Sequence, residues 1–365
     1  NGKYYFSPDN MPLITLFKTL GIRNLRPGGN SVDASVYPVP EEKDVRTFFE
    51  FVKAVGVKVI YSLRFQNGDP EYAARIARLI RECNEGTLQY FSIGNEPDYY
   101  KDYSVYSKKW TAIRDAMLGE FPEAWFCGPD QNPSPDLCRK MIRDFGSESG
   151  RLAMITQHNY PMGCSYENPC WGENCDVSKL RPRDAGEARE KMLSPLVWDI
   201  YEGIHQKISG GLVGSTVPLR LTETNSYWYS GLDGASNTYA SALWGIDYLY
   251  WWISHGAHGL NFHTGDITGG EITMPCRYAA FVTSPNGYEV RPLGYAMKLF
   301  DLSGQGRLLP VNVSSSPDRG LVAYATLTDD NYVLVTLINR AHGNGFKNTG
   351  VQIKLDALPC SSIAQ

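Results

Sequence analysis

A chain of 365 residues is long enough for one large domain and a small one. With 35 Lys and Arg against 39 Asp and Glu, the net charge is −4. That argues against nucleic acid or another polyanion as the main ligand, because such partners need a cationic field. No apolar run is long enough to span a bilayer, so no membrane partner is expected; the most apolar stretch, residues 243–253, is short and carries Asp247.

In chain order, short apolar runs alternate with amphipathic stripes. Leu13, Leu16, Phe17 and Leu20 form a helical stripe closed by Gly21. Residues 22–25 read as a strand ended by Pro27-Gly28-Gly29. Val45, Phe48, Phe49 and Val52 then fall at i, i+3, i+4 and i+7 of a helix that starts after Pro40 among Glu41, Glu42 and Asp44 and stops at Gly56. Residues 57–63 are the next strand, followed by a stripe of Tyr72, Ile76, Leu79, Ile80 and Cys83. Strands are expected again at 88–93, 125–127, 152–156, 218–222 and 259–262. Helices lie between them, with faces that include Tyr106, Trp110, Ile113 and Met117, then residues 192–208, then the aromatic 239–253.

Strands alternating with helices of this length are parallel βα units. No Gly-rich phosphate loop follows the first strand, so a closed (β/α)₈ TIM barrel fits the repeat better than a doubly wound sheet. The tail changes character. Residues 321–328 and 332–338 flank Asp329-Asp330-Asn331, a hairpin signal, and 351–355 alternates as well. The expected organisation is a catalytic barrel over 1–302 and a partial, sandwich-like antiparallel β module over 303–365. Three strands are too few to stand alone, so this module must pack on the barrel or lack strands. The chain begins at Asn1 rather than Met, and its start is expected to be missing, a signal peptide included.

Of eight cysteines, Cys164, Cys170 and Cys175 crowd into one segment. Their spacing is not that of a zinc site, so disulfides are expected rather than a metal, which implies an oxidising compartment and a secreted or periplasmic protein. Asn312-Val313-Ser314 is a glycosylation sequon. The 23 Tyr, 14 Phe and 8 Trp suit the stacking of sugar C–H faces, and equally suit the core and rim of a large barrel.

Barrel enzymes place their chemistry at the C-terminal ends of strands. The strand at 90–93 runs into Gly94-Asn95-Glu96-Pro97, and that at 219–221 into Thr222-Glu223-Thr224-Asn225. Two carboxylates facing one cleft are what glycoside hydrolysis needs, one protonated to serve the leaving oxygen and one ionised to attack the anomeric carbon. Asn95 beside Glu96 could hold a sugar 2-hydroxyl. Taken singly, Asn-Glu-Pro is also a common turn into a helix.

These two segments resemble the acid/base and nucleophile motifs of clan A glycoside hydrolases, where they end barrel strands four and seven. Leu25-Arg-Pro-Gly-Gly-Asn30, Gly128-Pro-Asp130, Gln157-His-Asn-Tyr160 and the segment from Arg291 to Phe300 resemble parts of glycoside hydrolase family 79, the family of heparanase and microbial β-glucuronidases. The resemblance implies Glu96 as acid/base and Glu223 as nucleophile. It implies Arg26 beneath the nucleophile, keeping it ionised, or else a structural salt bridge at the barrel bottom. Tyr160 would bond Glu223 or the sugar, and Asn30 and Asp130 would contact sugar hydroxyls. Tyr227 and Tyr278, with the backbone amides near Arg277 or its cation, would hold a glucuronate carboxylate, packing roles being the alternative for each. His263 reads as a structural hydrogen-bonder at the cleft mouth. No cofactor and no metal are implied.

The expected activity is that of a retaining exo-β-glucuronidase acting on a carbohydrate substrate by double displacement. The alternatives are another clan A retaining glycosidase, such as an arabinofuranosidase or endoglycanase, or a non-catalytic sugar-binding barrel. If Glu96 ends strand four, residues 22–25 are strand two, and strand one is expected upstream of Asn1.

Overall fold

The computed structural model describes residues 5–97, 102–164, 182–265, 276–314, 320–343 and 350–354. Its centre is a seven-stranded parallel sheet with strands in sequence order: β1 (Asn24–Leu25), β2 (Lys58–Leu63), β3 (Leu88–Ile93), β4 (Phe126–Gln131), β5 (Leu152–Asn159), β6 (Leu219–Thr224) and β7 (Ala257–Phe262). The sheet curls into a nearly closed barrel. Its two edge strands touch through side chains, Asn261 Nδ2 donating to Asn24 Oδ1 at 2.7 Å.

Helices cover the outer face, and their ends follow from sequence chemistry. Helix α1 (Met11–Leu20) has Asn10 as N-cap and buries Leu13, Ile14, Phe17 and Leu20. The four-residue α2 (Asn30–Asp33) precedes α3 (Glu42–Val55), which opens with a reciprocal Glu41–Asp44 capping box and closes on Gly56 at φ 85°. Next come α4 (Pro70–Cys83), α5 (Tyr103–Glu120), α6 (Pro135–Phe145), α7 (Ala185–Leu193) and α8 (Val197–Leu212). Asp69, Asp102, Ser134 and Asp184 accept backbone N–H bonds at the starts of α4 to α7.

Helix α9 (Tyr239–Ser254) is buried nearly all round, with Trp244, Tyr248, Tyr250 and Trp252 inside. It lies between the barrel and the tail. A hairpin, β8 (Phe281–Ser284) with β9 (Gly287–Val290), leads to α10 (Pro292–Ser303). Strands β10 (Arg307–Leu309), β11 (Leu321–Leu327) and β12 (Val333–Asn339) then form an antiparallel sheet. That sheet does pack on the barrel. Asp247 on α9 accepts bonds from Tyr324 at 2.8 Å, Trp198 at 2.9 Å and Arg340 at 3.3 Å, and Asp247 and Arg340 are themselves buried. Tyr250 stacks on Tyr324 with centroids 4.5 Å apart.

Several boundaries differ from the sequence reading. Strand β4 does not stop at Cys127 but runs through Gly128-Pro129, and Pro129 is register partner to Thr156. Strand β5 continues through Gln157-His158-Asn159, and β6 takes in Glu223 itself. Residues 351–354 carry no strand; the third strand of the tail is β10, three residues long. Residues 5–10 carry no strand, in agreement with the sequence. No helix among the described residues is long and apolar enough to cross a membrane. Cys83, Cys127 and Cys138 are free thiols; Cys170 and Cys175 lie outside the described residues.

Candidate active site

The C-terminal ends of β1, β3, β4, β5, β6 and β7 converge on one polar cluster. Glu223 and His158 are register partners on adjacent strands, and the ladder shifts between Gln157 and His158. Such a bulge re-aims the side chains that follow it. His158 is fully buried, and its Nδ1 lies 2.9 Å from Glu96 Oε1 and 4.0 Å from Glu223 Oε2. One oxygen of each Glu and a nitrogen of His158 all lie within 4.8 Å of one another.

Glu96 sits just beyond β3 on a sharply turned backbone. Gly94 has φ 89°, and a Cβ there would come 2.7 Å from the Cβ of Phe65, so only glycine fits. Glu96 itself has φ 48° and donates its N–H to Asp130 O at 2.8 Å. Non-glycine residues held in this region concentrate at functional sites. Asp33, unremarked in the sequence, braces the loop by accepting from the N–H groups of Phe65, Gln66 and Asn95 at 2.6, 2.8 and 3.0 Å.

Arg26 is the hub beneath. Its Nη1 donates to Glu223 Oε2 at 3.1 Å, and its Nη2 to Asp130 Oδ2 at 2.8 Å and Asn95 Oδ1 at 2.9 Å. The side chain is 3% exposed, so it serves the carboxylates rather than a sugar. Asp130 is likewise no sugar contact. It is buried and saturated by Arg26, Ser92 and Thr222, and Arg26 and His158 overcome its burial to hold its carboxyl well below the usual range.

Burial would raise the pKa of Glu223, but His158, His263, Arg26 and the Tyr160 hydroxyl outweigh it and bring it down to about 2. Tyr160 donates to Glu223 Oε1 at 2.8 Å. His263 Nδ1 is 3.5 Å from the same oxygen and lies 2.7 and 3.0 Å from the hydroxyls of Tyr160 and Tyr278. For His158, burial acts to lower the pKa, yet Glu223 and Glu96 raise it above the ordinary value.

Arg26, Asn95, Asp130, Tyr160 and both Glu residues are thus brought together, with Asn30 at the rim accepting from Asn95 Nδ2 at 3.1 Å. Tyr227 is not among them. It is 0% exposed, and its hydroxyl is spent on Ala188 O at 3.1 Å, so it is core. Tyr278 is buried behind Tyr160 and His263. The amides of Arg277 and Tyr278 already donate to Ser230 O, at 2.7 and 3.3 Å, and do not offer themselves to a carboxylate. His158 lay inside a quoted motif without a role; the signal was its place one residue after Gln157 in a strand that had not yet ended.

Glu96, His158 and Glu223 are also the one group among the described residues that could hold a metal ion. Glu223 already has a guanidinium at 3.1 Å, and a divalent cation there would sit against it.

No protein-family model matches the chain. A β-glucuronidase from Aspergillus niger is 22% identical over 298 residues, 75% of this chain and 51% of that protein, so the chain spans about half the length of this relative. A solved family 51 α-L-arabinofuranosidase from Bifidobacterium longum aligns over 94% of this chain and 79% of its own, with 13% identity and TM-score 0.65. A 4-O-α-L-rhamnosyl-β-D-glucuronidase from Fusarium oxysporum aligns over 95% and 76%, with 17% identity and TM-score 0.64. The chain therefore has the barrel fold of these glycoside hydrolases.

Proposed function

We propose that this chain is a retaining glycoside hydrolase of clan A, closest to family 79, that cleaves a terminal β-glucuronide. The observation that carries the reading is the asymmetry of two adjacent carboxylates. Glu223 is clamped by Arg26, Tyr160 and His263 and stays ionised, as a nucleophile must. Among the described residues Glu96 has no arginine paired with it, and it has twice the side-chain exposure, 21% against 10%. One oxygen of each lies within 4.8 Å of the other, nearer the roughly 5–5.5 Å spacing of retaining enzymes than the roughly 6.5–9.5 Å that leaves room for an inverting water.

In the first step Glu223 attacks the anomeric carbon while Glu96 gives its proton to the departing oxygen, and the glycosidic bond breaks. In the second, water attacks the same carbon, Glu96 takes the proton, and Glu223 leaves as carboxylate. The sum is one water consumed per bond cleaved. Arg26 and Tyr160 act by holding Glu223 charged until it bonds carbon. His158 orients Glu96. Once Glu223 is an ester its charge is gone, and with it the field that favoured a protonated His158.

The glucuronide assignment is supported by the Aspergillus relative and the Fusarium structure, both named for glucuronidase activity. An arabinofuranoside is the second reading, supported by the Bifidobacterium structure at TM-score 0.65. Secretion, with at least one disulfide that involves Cys164, Cys170 or Cys175, completes the proposal. A panel of aryl β-glucuronide, α-arabinofuranoside and β-xyloside tests it. Turnover of the glucuronide first, and its loss in Glu223→Gln, is expected. Turnover of the arabinofuranoside alone selects the second reading, and no turnover of any by the folded chain rejects both.

A further inference from the structure

Behind Glu223 and His158 three side chains close a circuit of hydrogen bonds. Thr224 and Asn159, the next residues of β6 and β5, are register partners as well. Side chains alternate along a strand, so these two turn outward to α9, where both meet the hydroxyl of Tyr248. The directions of the bonds follow from the protons. Thr224 Oγ1 donates its one proton to Asn159 O at 2.6 Å, so toward Tyr248, 2.7 Å away, it accepts. Tyr248 therefore donates to Thr224 and accepts from Asn159 Nδ2 at 3.0 Å. Each of the three residues gives one proton to the circuit and takes one.

All three are buried among aromatic side chains of α8 and α9. The Tyr248 ring stacks on Trp244 with centroids 4.8 Å apart and meets Tyr201 edge-on at 5.1 Å. Apolar groups of the same shape would seat this helix on the sheet about as well, since a satisfied hydrogen bond adds little net stability. What a closed polar network adds is a single arrangement. The strand ladder does not supply one here. Beside Glu223 the register of β6 shifts against both neighbours, between Gln157 and His158 on the β5 side and between Leu221 and Thr224 on the β7 side. The helix is held from its other side too. Asp247, the residue before Tyr248, accepts from Tyr324 of β11 and from Arg340 just past β12.

We propose that Tyr248 is a positioning residue for the reaction: through this circuit it fixes the ends of β5 and β6, and with them the placement of Glu223 against His158 and Glu96. Its hydroxyl does not meet the sugar; it acts through Thr224 and Asn159. The circuit stands without the glycosidase reading, whereas its effect on rate rests on that reading.

Tyr248→Phe keeps the aromatic ring on Trp244 and removes the hydroxyl. On whichever panel sugar the unaltered chain turns over, kcat should fall by about 10- to 100-fold, as a displacement of about 1 Å in a site does, with KM within about twofold. The loss should be the same on alkyl and dinitrophenyl glycosides, because the nucleophile is displaced as well as the acid. Thr224→Val breaks the circuit from the strand and should cost as much, and the two changes together no more than either alone. Thr224→Ser, which keeps the oxygen, should restore most of the rate. The ring-nitrogen NMR signals of His158, which need no substrate, should shift in Tyr248→Phe. An unchanged kcat in folded Tyr248→Phe, or losses that multiply in the double variant, overturns the proposal. Should Tyr248→Phe not fold, Thr224→Val against Thr224→Ser decides, equal rates overturning it. Should the unaltered chain turn over nothing on the panel, the glycosidase reading fails and the His158 signals decide alone, unchanged signals overturning the positioning role.

Discussion

Arg26 Nη1 reaches Glu223 Oε2 at 3.1 Å, from just past the first strand of the sheet to the sixth. The same guanidinium holds Asp130 at 2.8 Å. One cation therefore sets the charge of Glu223 and ties the edge at β1 to the strands that follow it in the sheet.

Replacing it exposes both roles. Arg26→Met leaves two buried carboxylates without their cation, and breaking a buried pair in this way costs about 3–5 kcal/mol. Urea unfolding should show a loss of that size. Adding Asp130→Asn should recover part of the stability but none of the activity, since Glu223 stays unpaired. Full recovery of activity in the double variant would refute the role given to Arg26.

The acid side of the stability profile follows from Glu223. Its folded pKa lies below its unfolded one, so its contribution is present above the ordinary glutamate range near 4.5 and is lost as pH falls toward about 2. His158 has the opposite sign. Its contribution is full below about 6.5 and is lost as pH rises past its raised folded value. Unfolding midpoints at pH 6 and pH 3 should therefore fall less for Glu223→Gln than for the unaltered chain. An equal fall would show that Glu223 is not held ionised.

His158 orients Glu96 through the 2.9 Å contact. His158→Asn should lower kcat on an alkyl glycoside, whose leaving group needs a proton, by about 10²-fold, the lower end of general acid catalysis. On a dinitrophenyl glycoside, whose leaving group needs none, the first step should barely change. Equal losses on both substrates would make His158 structural only.

Tyr227→Phe is the contrasting case. The hydroxyl bonds Ala188 O in the core, so its loss should cost about 1 kcal/mol of stability. Steady-state kinetics should show kcat/KM within about twofold of the unaltered chain; a tenfold loss would return Tyr227 to the substrate.

What the sequence showed follows from what short-range pattern can encode. Apolar stripes such as Val45, Phe48, Phe49 and Val52 located the helices, and those four are buried. The convergence of Glu96 and Glu223 was legible because both lie at the C-terminal ends of strands in a parallel barrel, where loops face one cleft. Strand ends were less so. Gly128-Pro129 reads as a turn, yet β4 continues through it, with Asp130 N donating to Thr156 Oγ1 at 3.0 Å in place of a regular ladder bond. The role of Asp130 was illegible because it depends on Arg26, Ser92 and Thr222 arriving from three other strands. Tyr227 was misplaced for the same reason: its proximity to Glu223 in sequence says nothing of which way its ring turns. Strand β10, three residues long, is too short to carry a period.

The most direct test of the account is to trap the glycosyl-enzyme. A 2-deoxy-2-fluoro glycoside of whichever panel sugar is turned over slows the second step more than the first, so the ester accumulates. Digestion and mass spectrometry should find one sugar on the peptide that contains Glu223, and none on it in Glu223→Gln. A label on Glu96, or no label together with a first product of inverted anomeric configuration, would contradict it.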